Sequence, residues 1–335
     1  MKRKQLAFKM FFVLIVVIIV AISSSTKVFR QDSNKVEKVT IGIVGDTSSL
    51  VVFAKEKGYF LDQGLDVEIK QYAVGAGALN DLLSGNIDIA VGSEHAGVRS
   101  SFNSDKFKIG ATIAKTTAFE IVARRDRGIT NPQDIMGKTV GSTSGTAGEF
   151  WLSVFLRSNQ MSRDDIDFIS LSPAELPKAL TEGKIDAMLN LEPHTYNAKV
   201  VLGENAVSFR GQRGQGVYSG LYFSNNLLER QPVIPEKIIR ALVMAEGFFN
   251  ENREESLAII SEYFGHTIEY IENVVVPKYE FEVSLEQALI LTMEDQARWM
   301  VDTGIVEVQE IPNFLNYFYF DALQTVKPES VTIVY

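Results

Sequence analysis

Two turns rich in serine and threonine carry the residue types that bind anions. The first is Gly45-Asp46-Thr47-Ser48-Ser49 and the second is Ser142-Thr143-Ser144-Gly145-Thr146-Ala147, and an apolar pattern with helical spacing follows each. Free amides and hydroxyls at a helix N-terminus favour sulfonate, phosphate or carboxylate groups. The alternative is ordinary N-capping, which any helix needs. The candidate ligand-binding residues of the two turns are Asp46, Thr47, Ser48, Ser144, Gly145 and Thr146.

Two short apolar runs each end in a glutamate, within Ser93-Glu94-His95 and Glu192-Pro193-His194. A carboxylate makes strong charge-assisted hydrogen bonds, so both glutamates are candidates to receive a substrate amine or amidine. Capping of the helix that follows is the alternative. His95 and His194, beside these glutamates, introduce a metal site or an acid–base pair as a further alternative. Their spacing, however, matches no recurrent pattern of metal ligands.

Two aromatic side chains also bear on a ligand site. Tyr72 could stack on a flat ligand, whereas Trp151 is expected to pack on a helix face. The candidate ligand-binding set is completed by Tyr72, Ser93, Glu94, His95, Thr117 and Glu192. No catalytic residue, no metal site and no cofactor is predicted.

A repeated motif indicates which elements position these residues. Gly85, Ile87, Asp88 and Glu94 recur 98 positions later as Gly183, Ile185, Asp186 and Glu192, and Thr40-Ile41-Gly42 recurs 99 positions later as Thr139-Val140-Gly141. Each copy reads as strand, polar turn and helix, then helix, glycine, strand and acidic loop, which is typical of an α/β half-domain. Ligands of open α/β sheets sit at the carboxyl ends of strands, so two such lobes are expected to face a shared cleft.

Composition limits the classes of function. A chain of 335 residues with 46% hydrophobic residues is expected to form about two domains. The net charge of -9, without a basic block after residue 4, argues against nucleic-acid binding. The absence of cysteine excludes disulfides, thiolate zinc sites and a thiol nucleophile.

The N-terminus has the pattern of an export signal. Lys2-Arg3-Lys4 precedes an apolar run from Met10 to Ile22, and small serines follow. Such a run is short for a membrane span of about 20 residues, so residues 1–25 are predicted to be a signal peptide, with an uncleaved membrane anchor as the alternative. Residues 26–36 are polar and are predicted to be a tether.

Two segments of the first predicted lobe resemble a known family. They are Ala54-Lys55-Glu56-Lys57-Gly58-Tyr59-Phe60 and Gly64-Leu65-Asp66-Val67-Glu68, and Glu192-Pro193 later in the chain matches a Glu-Pro of the same family. The segments are similar to those of the substrate-binding proteins of ABC importers in the nitrate, sulfonate, taurine and thiamine-precursor group. This resemblance covers about 290 residues and carries no information on the ligand.

The resemblance implies an α/β, type II periplasmic-binding-protein fold, with two α/β lobes joined by two crossings around a central cleft. Lobe one is expected to comprise 37–123 and 218–335 and lobe two 124–217, with the crossings near Arg124 and Val217. The C-terminal helices are expected to cover lobe one. The implied partners are a small-molecule ligand, an ABC permease and its ATPase.

The function that follows as a hypothesis is extracytoplasmic capture of a small polar solute for import. A zwitterion such as an aminosulfonate, or an aminopyrimidine with a polar tail, suits anion-binding turns beside acidic strand ends better than nitrate does. One alternative is an enzyme on the same fold, related to pyrimidine synthases. The other is a solute-sensing module for a membrane receptor.

Overall fold

The computed structural model describes residues 36–212, 214–307 and 310–335. The predicted signal or anchor, and all of the predicted tether except Val36, lie outside the described residues. Within these ranges, no helix has both the length and the apolar character that a membrane crossing requires.

Six strands form the first sheet. With strands numbered in chain order, they are β1 Glu37–Ile43, β2 Leu65–Gln71, β3 Ile89–Ser93, β4 Phe107–Thr116, β10 Val217–Ser224 and β11 Tyr279–Glu280. Their spatial order is β11-β4-β10-β3-β1-β2. β1 and β3 are parallel, whereas β10 is antiparallel to both β3 and β4. A strand from the second half of the chain is therefore inserted between β3 and β4.

Five strands form the second sheet, and they are consecutive strands of the chain. They are β5 Glu120–Arg124, β6 Thr139–Ser142, β7 Asp167–Ser170, β8 Ala187–Asn190 and β9 Ala206–Arg210. Their spatial order is β7-β6-β8-β5-β9. β6 is parallel to both β7 and β8, and β5 is antiparallel to β8 and β9.

The chain passes between the two sheets twice. It leaves the first sheet after Thr116 and enters the second at Glu120, and it returns between Arg210 and Val217. Two α/β sheets joined by two crossings confirm the predicted architecture. β5 pairs only within the second sheet, so the first change of sheet precedes the position that was predicted near Arg124. The lobe boundaries stay a prediction. The pairing of β5 favours a first crossing that lies earlier in the chain than Arg124.

The repeated motif makes the same contact in both sheets. Asp88 Oδ2 accepts a hydrogen bond from the Thr40 amide at 2.8 Å, and Asp186 Oδ2 accepts one from the Thr139 amide at 3.0 Å. Each aspartate ties the residues before one strand to the neighbouring parallel strand. The repeated residues therefore have equivalent structural roles.

Helices pack against both sheets. Numbered in chain order, they are α1 Ser49–Glu56, α2 Tyr59–Asp62, α3 Gly75–Leu83, α4 Glu94–Ser101, α5 Ala147–Ser158, α6 Leu176–Thr181, α7 His194–Leu202, α8 Asn225–Arg230, α9 Ile234–Glu251, α10 Arg253–Phe264, α11 Ile268–Tyr270, α12 Gln287–Asp302 and α13 Asp321–Val326. α9 packs on α1 and α2, and α12 packs on α4. C-terminal helices thus pack against the helices that connect strands of the first sheet. Trp151 is buried in the core, as predicted.

Candidate functional site

A cavity of about 340 Å³ lies where strands of both sheets end. The residues that follow β1, β2, β3, β6 and β8 line it, for example Val44, Thr143 and Leu191. Within each sheet the parallel neighbours, β1 with β3 and β6 with β8, place their carboxyl ends on the same side. This edge is where open α/β sheets bind ligands.

Several helices also begin at the cavity. The first turns of α3, α4, α5 and α7 contribute lining residues, among them Gly75, His95, Ala147 and His194, and α1 approaches it through the turn Asp46–Ser48. Amides in the first turn of a helix have no intrahelical acceptor, and the N-terminus carries partial positive charge. The wall of the cavity therefore favours an anionic group.

Most of the candidate residues predicted from the sequence line this cavity. They are Asp46, Thr47, Tyr72, Ser93, His95, Gly145, Thr146 and Glu192. They come from both copies of the repeat. The structure thus brings together turns that are about 100 residues apart in the sequence.

The threonine hydroxyls of the two turns are engaged by the backbone. Thr47 Oγ1 donates to Val44 O at 3.0 Å. Thr146 Oγ1 donates to Thr143 O at 2.8 Å and accepts from the Gly148 amide at 3.1 Å. Each hydroxyl proton thus already has an acceptor, and in the second turn the Gly145 amide donates to Glu149 Oε2 at 2.7 Å. Thr146 is thus the N-cap of α5, as the alternative interpretation proposed.

Three candidate residues lie outside the lining of the cavity. The Ser48 hydroxyl is buried and accepts a hydrogen bond from the Val44 amide at 3.0 Å, so it stabilises its own turn. Ser144 and Thr117 are exposed, and their amides donate to Ser170 Oγ and to Lys278 O. The structure therefore does not place Ser48, Ser144 or Thr117 where they were predicted to lie.

Glu94 is the fourth candidate outside the lining, because its carboxylate points into the protein. Oε2 accepts from the Tyr218 amide at 2.8 Å, and Oε1 accepts from Gln296 Nε2 at 2.6 Å. Burial raises the pKa of Glu94 to about 7, against the opposing effect of these hydrogen bonds. The predicted partner for a substrate amine is therefore a buried structural carboxyl group.

We expect Glu94→Gln to change how stability depends on pH. The pKa of Glu94 rises from 4.5 to about 7 on folding, so the folded chain holds this proton up to a higher pH than the unfolded chain. The stabilisation is present below pH 4.5 and is lost as the pH rises through 7. From pH 5 to pH 8, the free energy of unfolding of the unsubstituted chain should fall by about 3 kcal/mol relative to that of the variant. Urea denaturation at several pH values measures this difference.

A control for that experiment is the exposed Glu204. Glu204→Gln should follow the curve of the unsubstituted chain at every pH. Parallel curves for the Glu94→Gln variant and the unsubstituted chain would contradict the expected titration of Glu94.

His95 and Ser219 offer polar atoms that have no partner among the described residues. Both line the cavity, and His95 Nδ1 and Ser219 Oγ are buried without a hydrogen bond. Burial, assisted by the charge of Arg99, lowers the pKa of His95 to about 3, so its ring is neutral at neutral pH. Buried polar groups are nearly always hydrogen-bonded in native proteins. Contact of His95 with a ligand therefore stays a prediction, and contact of Ser219 is a further one.

Glu192 lines the cavity but is paired within the chain. Its buried carboxylate lies 2.7 Å from Lys278 Nζ, and its other oxygen accepts from the Tyr196 amide at 2.8 Å. Glu120 lies 2.7 Å from both Lys278 Nζ and Lys199 Nζ. Burial raises the pKa of Glu120, but the hydrogen bonds from the two lysines outweigh burial and lower it. Both oxygens of Glu192 therefore have partners, and its predicted contact with ligand stays a prediction.

Asp46 differs from Glu192 in its partners. Asp46 Oδ1 lies 3.0 Å from His266 Nε2, and Asp46 Oδ2 is buried without a partner among the described residues. A carboxylate accepts only, so Nε2 carries the proton and donates it. Asp46 therefore lines the cavity and has one buried carboxylate oxygen without a partner among the described residues.

Aromatic rings form part of the wall. Tyr72, Phe119, Tyr218 and Tyr279 all line the cavity. The Tyr72 hydroxyl donates to Asp81, and Lys70 Nζ lies over the ring, 5.1 Å from its centroid. The predicted stacking of Tyr72 on a flat ligand is compatible with this position.

Sequence reasoning missed several lining residues, notably Thr143, Asn190, Ser219 and Tyr279. Thr143 belongs to the second turn, and Asn190 lies two residues before Glu192, so both are close to segments that the sequence analysis considered. Ser219 lies in a strand that pairs with β3, where Ser219 is opposite Ser93. No local pattern marks it, because this pairing joins residues far apart in the sequence.

The described residues contain no group of three or more histidine, aspartate or glutamate side chains with the geometry of a metal site. The arrangement of the cavity is thus one of hydrogen-bond donors, a free carboxylate oxygen and aromatic faces. Such a lining can hold a small polar molecule in one orientation.

Comparisons with known proteins agree with this geometry. The family described as NMT1/THI5 like matches residues 47–255. A protein of Brucella abortus (strain 2308), named "Putative binding protein BAB2_1146", is 23% identical over 275 residues, which cover 80% of this chain and 81% of the relative.

Solved structures share the fold. The periplasmic aliphatic sulphonate binding protein SsuA of Escherichia coli has a TM-score of 0.71 at 17% identity, over 84% of this chain and 92% of that chain. The alkanesulfonate-binding protein SsuA of Xanthomonas axonopodis pv. citri, bound to MOPS, has a TM-score of 0.70 at 16% identity, over 89% and 98%. The desulfurization enzyme DSZB has a TM-score of 0.65 at 12% identity, over 88% and 99%.

These similarities confirm the periplasmic-binding-protein fold that the sequence resemblance implied. The family match spans more than half of the chain and includes the first turn from Thr47 onward, the whole second turn, both acidic strand ends and the two crossings between the sheets. The chain belongs to the NMT1/THI5-like family.

Proposed function

We propose that this chain is the solute-binding component of an ABC import system. In this role it captures a small polar solute outside the cytoplasmic membrane and delivers it to a permease and its ATPase. The observation that carries the proposal is the cavity between the carboxyl ends of strands from both sheets, with helix N-termini around it. The binding proteins among its structural relatives support the same role.

The proposed ligand is anionic or zwitterionic, for example a sulfonate or an aminopyrimidine with a polar tail. Helix N-termini and the free Ser219 hydroxyl suit an anionic group, and aromatic faces suit an apolar or flat body. The names of the two SsuA proteins favour a sulfonate. MOPS itself combines a sulfonate with an amine, which fits a cavity that also presents a carboxylate.

An enzymatic role is the second candidate, since the desulfurization enzyme DSZB has the same fold. This chain contains no cysteine and therefore has no thiol nucleophile. The hydroxyls of Thr47 and Thr146 donate to backbone carbonyls, and no described base is bonded to them. Binding without chemical change is the better supported function. Recovery of an unaltered ligand after long incubation would distinguish the two.

Ser219→Ala tests whether the cavity binds an anionic ligand. A thermal-shift screen of sulfonates, aminopyrimidines and small anions first identifies a ligand, because a ligand at 100 times its dissociation constant stabilises by about 2.7 kcal/mol. Loss of the free hydroxyl should then weaken binding by about 1.5 to 3 kcal/mol, the value of a hydrogen bond to a charged group. Calorimetry measures the affinity. The melting temperature without ligand should not fall, because Ser219 Oγ has no described partner to lose.

Thr146→Val is the matched comparison, since this hydroxyl is bonded on both sides by the backbone. It should lower the free energy of unfolding by about 1 kcal/mol, as loss of an N-cap does, and leave the affinity nearly unchanged. An unchanged affinity in the Ser219→Ala variant, together with a lowered melting temperature, would assign Ser219 to the structure rather than to the ligand.

A further inference from the structure

Asp46 carries a buried oxygen that the described chain does not satisfy. The residue is 5% exposed, it lines the cavity, and Oδ2 has no hydrogen-bond partner. A buried carboxylate oxygen without a donor is costly, so such atoms usually meet a ligand, an ion or water. Ser49 Oγ bonds the backbone oxygen of Asp46 at 2.7 Å, and Oδ1 bonds His266. The contact with Ser49 thus holds the backbone of Asp46 and the contact with His266 holds its side chain, and neither involves Oδ2.

Asp46 has no lysine or arginine partner within salt-bridge distance among the described residues. The ammonium groups of Lys199 and Lys278 lie within 2.7 Å of Glu120 or Glu192, so two cations face two anions. Burial lowers the pKa of His194, which also lines the cavity, so its ring is neutral at neutral pH. Among the described residues, His266 is the one basic side chain within salt-bridge distance of Asp46.

We propose that Asp46 Oδ2 binds a positively charged nitrogen, an ammonium or a protonated amidine, of the solute that occupies this cavity. His266 Nε2 donates to Oδ1 and thereby orients the carboxylate, so His266 is a positioning residue. Tyr279, which also lines the cavity, supplies an aromatic face that favours the same cation. The inference rests on the proposed function, because it assigns one end of the ligand that the cavity is proposed to bind.

Binding of a positively charged group was predicted for Glu94 and Glu192, and it is here assigned to Asp46 instead. Glu94 is directed into the protein, and both oxygens of Glu192 have partners within the chain. Asp46 has one oxygen held and one oxygen free, which is the arrangement of an oriented receptor for a donor. A bound solute with a positive group at this end and a negative group toward the helix N-termini would be matched at both ends.

Asp46→Asn tests the subsite, because it removes the charge and keeps the shape of the side chain. The probes are taurine and ethanesulfonate, which differ by one ammonium group. We expect the unsubstituted chain to bind taurine at least about 10-fold more tightly than ethanesulfonate in calorimetry. The variant should bind taurine about 10- to 100-fold more weakly and keep its affinity for ethanesulfonate, as expected for loss of a hydrogen bond to charge.

A measurement without ligand gives an independent result. If Asp46 serves the ligand, the melting temperature of the Asp46→Asn variant should equal or exceed that of the unsubstituted chain. Glu120→Gln is the control, since Glu120 is a partly buried carboxylate with two lysine partners, and it should lower the melting temperature.

The outcomes separate the subsite from the proposed function. Equal affinities of the unsubstituted chain for the two probes would overturn the subsite and leave sulfonate binding intact. A melting temperature of Asp46→Asn as low as that of Glu120→Gln would also overturn it, by making Asp46 a structural partner of His266. If neither probe binds, the sulfonate proposal fails, and the melting temperatures alone decide whether Asp46 is free for a cation.

Discussion

Replacing Lys278 with methionine is expected to lower the free energy of unfolding by about 3 to 5 kcal/mol. Lys278 Nζ lies 2.7 Å from both Glu120 and Glu192, and the Glu192 side chain is 0% exposed. Removing one partner of a buried ion pair leaves a buried charge uncompensated, and this costs more than the pair itself contributes. Methionine retains the length of the aliphatic chain, so the change is mainly one of charge. Denaturant unfolding at neutral pH measures the effect.

Lys184→Met is the control for this prediction. Lys184 lies 2.8 Å from Glu182, but both side chains are exposed. Exposed ion pairs contribute about 0 to 1 kcal/mol, so this variant should be nearly as stable as the unsubstituted chain. Equal, small effects of Lys184→Met and Lys278→Met would contradict this prediction. They would show that water screens the Lys278 cluster, which consists of Lys278, Glu120 and Glu192, as it screens a surface pair.

The Lys278 cluster also connects the two sheets beside the cavity. Lys278 directly precedes β11 of the first sheet, whereas Glu120 begins β5 of the second sheet and Glu192 follows β8. A second polar contact joins the helices beside the two sheets. It lies between Trp299 Nε1 on α12 and Ser153 Oγ on α5, at 3.0 Å. Polar contacts, as well as the two crossings, thus connect the walls of the cavity.

The repeat was predictable from the sequence because its contacts lie within each copy. Asp88 and Asp186 each bond the strand that lies 48 or 47 residues earlier in the same copy. Gly85 and Gly183 both have positive φ values, 76° and 75°, which favour glycine. Constraints that are complete within one copy leave the same residues in both copies, so they appear as identities at a fixed offset.

The roles of the acidic residues were not predictable in the same way. Glu94 and Glu192 occupy equivalent positions in the repeat, yet their partners differ. Glu94 bonds Tyr218 and Gln296, which are 124 and 202 residues away, and Glu192 bonds Lys278, 86 residues away. All three partners lie after the second copy, in a region that the repeat does not include. The free oxygen of Asp46 likewise depends on His266, 220 residues away.

Replacing Gly75 with alanine is expected to destabilise the chain and to weaken ligand binding. Gly75 begins α3 and lines the cavity, and a Cβ at this position would lie 2.9 Å from Gly92 Cα and 3.1 Å from the Ser93 amide nitrogen. Both neighbours are backbone atoms of the first sheet, so no side chain can rotate to make room. The free energy of unfolding should fall by about 3 kcal/mol, the upper end of the usual cost of overpacking. Denaturant unfolding measures this loss.

The same substitution should weaken binding because Gly75 and Ser93 both line the cavity. Displacing α3 from β3 moves one helix N-terminus away from the anion that it is proposed to bind. Gly247→Ala is the control, since Gly247 lies within α9 and an added Cβ has no neighbour within 4 Å. This change should stabilise the chain by about 0.5 to 1 kcal/mol through helix propensity and leave the affinity unchanged. If Gly75→Ala behaves like Gly247→Ala in both stability and affinity, the close approach of α3 to β3 does not shape the ligand site.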